Sequence, residues 1–218
     1  MVKHRVLAGI VLAVLAQAAA RPLAAQTYDW QYKWYWGVKG GMLTYSLPTT
    51  GQAVTPQFGG EWVVTAKRTA LYVGFSQSPT AQQDTFRLAS VSGGPYQIAF
   101  DGMRRIQIGV MVFPTNGNLQ PYVGGGFVIE TLTNARYTGA AAISSTVSTA
   151  INNASSGGFA LVIAGIQLRM GRKLAIYAHY QGCPQGHDFL LAGSSNSLEA
   201  GIRYAFLPAR EDDVDNGR

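Results

Sequence analysis

Between Ser197 and Phe206 the even positions Leu198, Ala200, Ile202, Tyr204 and Phe206 are all apolar, whereas the odd positions Glu199, Gly201, Arg203 and Ala205 are small or charged. A period of two sends successive side chains to opposite faces of a strand. Charges on one face, with aromatics crowding one end of the other, suit a sheet that has lipid on one side and a polar lumen on the other. After the first 25 residues the chain has no apolar run of the ~18 residues that suggest a spanning helix. A chain that crosses a bilayer by strands must close its sheet, because an open edge would expose unpaired backbone groups to hydrocarbon. The expected fold class is therefore all-β: an eight-stranded antiparallel transmembrane up-and-down β-barrel, with ten strands as a variant.

The N-terminus fits that expectation. Lys3, His4 and Arg5 precede an apolar stretch from Val6 to Ala20, and small residues lead to Leu23, Ala24 and Ala25. This is the pattern of a secretory signal peptide over residues 1–25, with cleavage after Ala25, or alternatively after Ala20. No cysteine follows, which argues against a lipoprotein anchor. Export and strand pattern together point to a bacterial outer membrane. Loss of Lys3, Arg5 and Arg21 reduces the formal charge of +6 to +3, so the basic balance does not indicate a nucleic-acid partner. The barrel domain is expected over 26–206, followed by a polar periplasmic tail over 207–218. Cys183 is the sole cysteine and cannot form an internal disulfide; it is read as an incidental loop residue. With three histidines and one cysteine the chain lacks the donors of a cysteine-histidine metal cluster, and no cofactor is expected.

Tyr28, Trp30, Tyr32, Trp34 and Trp36 set an aromatic at every second position. Trp30, Tyr32, Trp34 and Trp36, with Trp62, Tyr204 and Phe206, are expected to lie at the headgroup level, residues 28–32 running along or below it. Strands are expected over 33–46, 56–66, 70–77, 104–114, 120–133, 159–170, 174–182 and 197–206. Short turns fall near residues 67, 117 and 172, and long connections near 50, 90, 145 and 190. Phe86–Val91 and Tyr96–Phe100 are each too short to cross a membrane and are read as extensions of neighbouring strands rather than an added hairpin. The Ala-, Ser-, Thr-, Gly- and Asn-rich stretch 134–158 reads as a mobile external loop. The glycines at 124–126 suggest tight curvature.

The segment Gln120-Pro121-Tyr122-Val123-Gly124-Gly125-Gly126, the strand-turn-strand Gly165–Tyr180 and the closing stretch Leu198–Phe206 resemble the outer-membrane β-barrel domain family, which contains the small OmpA-like and OmpX-like barrels. The resemblance implies outer-membrane lipids, lipopolysaccharide and the barrel-assembly machinery as partners. It also implies a terminal aromatic assembly signal, from which this chain departs because Leu207–Arg218 follow Phe206. A partner for the external loops is not specified by any motif.

The inward parity collects Lys39, Glu61, Gln107, Glu130, Gln167, Arg169, His179, Glu199 and Arg203. Lone charges in so narrow an interior are costly, so pairing is expected: Lys39 with Glu199 across the closing seam, and Glu130 with Arg169 on adjacent strands. One reading is a charge-filled lumen inside a non-enzymatic structural or surface-interaction scaffold that displays its loops. An alternative is a narrow pore for small solutes or ions, in which the pairs rearrange. A third comes from a resemblance to lipid A deacylases, barrels with a histidine in a late strand and a serine two residues on. In His179-Tyr180-Gln181 that serine position is glutamine, so no catalytic residues are assigned. His187 and Asp188 are read as solvated loop residues.

Overall fold

The computed structural model describes residues 32–209 apart from 92, 116, 140–142, 172 and 192. The signal segment 1–25, Trp30 and residues 210–218 lie outside the described residues. In chain order the described elements are β1 (Tyr32–Leu47), β2 (Gly51–Ala66), β3 (Thr69–Ser78), β4 (Gln82–Phe86), β5 (Tyr96–Phe100), β6 (Gly102–Val112), β7 (Leu119–Thr133), β8 (Arg136–Tyr137), helix α1 (Ser145–Ala154), β9 (Ser156–Met170), β10 (Leu174–Gln185) and β11 (Gly193–Ala209). Eight of the strands form a closed barrel in the order β1-β11-β10-β9-β7-β6-β3-β2, antiparallel throughout. Closure comes from β1, in which Met42 pairs with Pro56 on one side and Leu198 on the other.

The alternation seen in the sequence becomes two surfaces. On β1 the odd residues from Lys33 to Leu47 face inward and the even ones outward. The outer surface carries a belt of exposed apolar side chains that includes Val38, Met42, Phe58, Ile108, Phe127, Val162, Leu198 and Ile202. A continuous apolar belt of this kind is unusual on a soluble protein and is stable where hydrocarbon covers it. At one end, Trp34, Trp36, Trp62 and Phe206 form a ring cluster with centroids 5.2–6.5 Å apart. Tyr204 is exposed nearby, under the Lys173 ammonium.

Tight turns join the strands at the end bearing this cluster. Lys67, at φ 50°, and Arg68 link β2 to β3, and a positive φ is what a two-residue hairpin of the favoured hand requires. Crowding accounts for two of the three consecutive glycines of β7. A Cβ at Gly124 would lie 2.5 Å from the Val110 carbonyl oxygen and one at Gly126 2.1 Å from that of Ile108, whereas Gly125 faces outward with nothing nearer than 3.5 Å.

The opposite end differs from the sequence expectation. The pieces around residues 90 and 98 neither extend barrel strands nor raise the count to ten. Instead β4, which ends at Phe86, pairs with β5, and β5 pairs with β8 in a separate three-stranded sheet. The stretch 134–158 is not a plain loop: it supplies β8, α1 and the start of β9. Ser144 caps α1 by accepting a hydrogen bond from the Val147 amide at 3.4 Å, and Val147, Ala150 and Ile151 line its buried face. These residues pack with Leu43, Tyr45, Phe86, Ile98, Phe100, Leu132 and Phe189 into an apolar core over the barrel mouth. Five-residue strands cannot bury such side chains alone, so they form where the helix and barrel rim complete the layer. The barrel strands also run further than expected: β2 begins at Gly51, leaving only residues 48–50 as a turn, β10 continues to Gln185, and β11 starts at Gly193. Cys183 is consequently a strand residue rather than a loop residue, buried inside the barrel.

Candidate functional site

The barrel interior is a stack of three ion pairs. Nearest the capped mouth, Arg105 Nε donates to Glu130 Oε1 at 2.9 Å and its Nη1 to Ser197 Oγ at 3.2 Å. Glu130 also accepts from Ser195 Oγ at 2.7 Å and Gln185 Nε2 at 2.5 Å. Glu130 therefore pairs with Arg105, not Arg169. The two arginines flank it on different neighbouring strands, and the register sets Glu130 directly opposite Arg105 on β6 but opposite Gly157 on β9. Arg169 lies further down, beside Tyr35, with its side chain half-buried.

In the middle of the stack, Lys39 Nζ donates to Glu199 Oε2 at 2.9 Å, Tyr72 Oη at 2.8 Å and Gln107 Oε1 at 2.8 Å. Three donors meet three acceptors, which is the full capacity of an ammonium group. Glu199 accepts in addition from Gln57 Nε2 at 2.8 Å and lies 2.8 Å from His179 Nε2. His179 Nδ1 is 3.0 Å from Tyr122 Oη, so a neutral ring with its proton on Nε2 donates to Glu199 and accepts from Tyr122. Gln181 spans the layer, donating to Tyr72 Oη and Glu199 Oε2, both at 3.2 Å, and accepting from Gln107 Nε2 at 3.1 Å.

Towards the tight-turn end, Arg203 makes a forked contact with Glu61 at 2.5 and 3.4 Å and donates from Nη1 to Gln167 Oε1 at 2.6 Å. Its guanidinium lies 3.8 Å from the Tyr177 ring centroid, a stacked geometry that lysine could not supply. Gln167 continues to Gln120 at 3.2 Å. All three acid-base pairs are essentially inaccessible to solvent.

Several of these side chains sit opposite an interior glycine. Glu61 and Arg203 both face Gly37, Lys39 faces Gly59 and Gly201, Glu199 faces Gly41, Gln107 faces Gly74, and His179 faces Gly165. A barrel this narrow accommodates a long polar side chain where the facing position carries none.

The sequence-expected interior set is thus joined by Arg105, Tyr72, Tyr122, Gln57, Gln181 and Ser195. Arg105 shares the parity of Gln107, and Gln57 that of Glu61, so alternation alone could have found both. Of the expected interface aromatics, Trp34, Trp36, Tyr204 and Phe206 are exposed, Trp62 is half-buried against its neighbouring rings, and Tyr32 is described by its backbone alone. Among the described residues no group of three or more His, Cys, Asp or Glu is arranged to hold a metal. Among the described residues no serine hydroxyl hydrogen-bonds His179 or Glu199: Ser197 bonds Arg105 and Gln181 instead.

The sequence matches no protein-family model, and a search of curated proteins finds no match. Solved structures do match. Neisserial surface protein A aligns with a TM-score of 0.54 at 13% identity, covering 79% of this chain and 97% of that one. The N-terminal β-barrel domain of Pseudomonas aeruginosa OprF gives 0.48 at 11% identity, over 81% and 100%. The outer membrane protein OprG from the same organism gives 0.46 at 12% identity, over 80% and 94%. At such identities the likeness concerns the fold, and it rests on the first of these.

Proposed function

We propose that this chain, which has the fold of the small eight-stranded outer-membrane barrels, is a closed, non-enzymatic scaffold that holds a folded cap at the outer surface of a bacterial outer membrane. The observation that carries this reading is the double seal. Paired charges and their hydrogen-bond partners occupy the interior, and an apolar core covers the long-loop mouth. Opening a path for ions would require separating desolvated pairs and displacing the cap together, which disfavours the pore reading. The enzyme reading lacks a nucleophile at the histidine, and the side chains of His179 and Glu199 are shut away from solvent. The exposed apolar belt and the one-sided tryptophan cluster support insertion in a bilayer, with the tight turns and the outer ends of β1 and β11, Tyr32 and Ala209, on the periplasmic side.

The test is conductance of the refolded protein in a planar bilayer, with insertion verified by heat-modifiable migration on a denaturing gel. An inserted barrel with no steps above background is the expected outcome. Reproducible small steps in the wild type would overturn the closed-scaffold reading and make the Lys39–Glu199 layer the place to seek a gate.

A further inference from the structure

The cap contains a cavity of about 370 Å³ that lies outside the polar stack. It forms where the β1–β2 turn, the end of β4, Pro95 and the β10–β11 loop converge. Its floor is the edge of the cap core, Phe86, Phe189 and Leu190, each at most 5% exposed. Its rim carries Thr49, Thr85, Arg87 and His187.

Of the residues that line this cavity none is acidic, and Arg87 and His187 are the basic ones. Arg87 and His187 are exposed and make no hydrogen bond or ion pair with other described residues. Asp84 and Asp188 neighbour the lining residues Thr85 and His187 in the chain but are not part of the lining, and Asp84 is turned to structural use. Its Oδ2 accepts from the Thr49 amide at 2.9 Å, the Thr50 amide at 3.1 Å and the Thr50 hydroxyl at 2.9 Å, and its Oδ1 from the Thr85 amide at 2.7 Å. Those bonds saturate the carboxylate and fix two walls of the cavity, the β1–β2 turn and the end of β4, to each other. Arg87, His187 and Thr85 thus line the same cavity as the apolar Phe86, Phe189 and Leu190. Concavity, an apolar lining and a few convergent polar groups are the features of small-molecule sites, and a free guanidinium selects planar or tetrahedral oxyanions through paired N–H donors.

We propose that this cavity binds a compact organic anion, a carboxylate or phosphate monoester on an apolar body, with the anionic group on Arg87 and the body against Phe86, Phe189 and Leu190. Among the residues that line the cavity Arg87 is the one permanently charged side chain, which fits one anionic group rather than a polyanion. The site opens on the cap and not on the belt, so ligand reaches it from water without entering the bilayer.

The experiment uses the full mature chain refolded in zwitterionic micelles and follows the amide resonances of Thr49, Thr85 and Leu190 during titration with benzoate, phenyl phosphate and benzyl alcohol. Saturable shifts with at least one anion are expected, at least tenfold weaker with the neutral alcohol, whose behaviour also reports simple partition into micelles. Arg87→Gln should weaken anion binding about tenfold or more while leaving heat-modifiable migration unchanged, since the side chain is exposed. Arg104→Gln, which alters an exposed arginine on the barrel wall, should leave binding as in the wild type. A preference for benzoate assigns a carboxylate ligand and a preference for phenyl phosphate a phosphate ester; either supports the site. Absence of saturable shifts with both anions, or equal affinity in Arg87→Gln and wild type, would overturn it.

Discussion

Gly165 has no room for a side chain: a Cβ there would lie 2.5 Å from that of His179 and 2.6 Å from the Ala178 carbonyl oxygen. The histidine ring takes the place that a side chain on β9 would fill, and its bonds to Tyr122 and Glu199 hold it there. Gly165→Ala should therefore lower unfolding stability by about 1–3 kcal/mol through overpacking. Gly125→Ala, on the outer face with its nearest neighbour at 3.5 Å, should stay within about 0.5 kcal/mol of the wild type. Urea unfolding in lipid vesicles, followed by tryptophan fluorescence, measures both. Equal effects at the two sites would mean that glycine matters for backbone freedom and not for making room. At this scale the sequence was legible in parity and opaque in partnership. Alternation marks Lys39, Glu61, His179, Glu199 and Arg203 as inward, because the side-chain period of a strand is fixed by its backbone. It does not say that Glu130 meets Arg105 instead of Arg169, because that depends on strand register, and register is set by the whole ladder.

The cap was the least legible element. Its sheet joins β4 and β5 to β8 across about forty residues of chain, with Ile98 opposite Tyr137; the alternation of Tyr96–Phe100 was visible, but β4 was not, and nothing in either five-residue strand names its partner. The helix was hidden by a run of Ser, Thr, Ala and Asn that reads as loop, although Ser144 and the spacing of Val147, Ala150 and Ile151 carry a cap and an apolar stripe. Beside the shared apolar core, Asp84 ties this element to the barrel rim. Burial by itself would raise its carboxyl pKa, but the Thr49, Thr85 and Thr50 amides outweigh that and hold it down to about 2 from an ordinary 3.8. A depressed folded value means that the contribution to stability is complete above about pH 4 and lost as pH falls through about 2. Hydrogen-exchange protection of the Thr49 and Thr50 amides, corrected for intrinsic rates, should fall across that window while the Ile108 amide in the barrel wall is unaffected. Asp84→Asn should remove the pH dependence and lower protection at those amides at every pH. Constant wild-type protection from pH 5 to pH 2 would show that the turn is held by something other than this carboxylate.

For the molecule as a whole, the two faces of one sheet meet opposite demands. The outer face is held by apolar contact with its surroundings, and the inner face is polar, so it must balance its own charges without bulk water. Three acids face three bases in the stack, Glu130 with Arg105, Glu199 with Lys39 and Glu61 with Arg203, and each pair is backed by amide or hydroxyl partners. Burial of such pairs contributes little net stability compared with an apolar filling, but removing one member leaves a charge with neither water nor partner. Arg203→Met strands Glu61 next to Tyr177 and should cost about 3–5 kcal/mol. Adding Glu61→Gln removes the stranded charge, and the double variant should recover more than half of that loss even though it has lost the whole ion pair. If the double variant is no more stable than Arg203→Met alone, the arginine acts through its stack on Tyr177 and its bond to Gln167, not through charge balance. Unfolding midpoints of the wild type, both single variants and the double variant complete the cycle. A large coupling energy, with the double variant close to the wild type, is the result expected of an interior whose polar residues fill space as matched pairs.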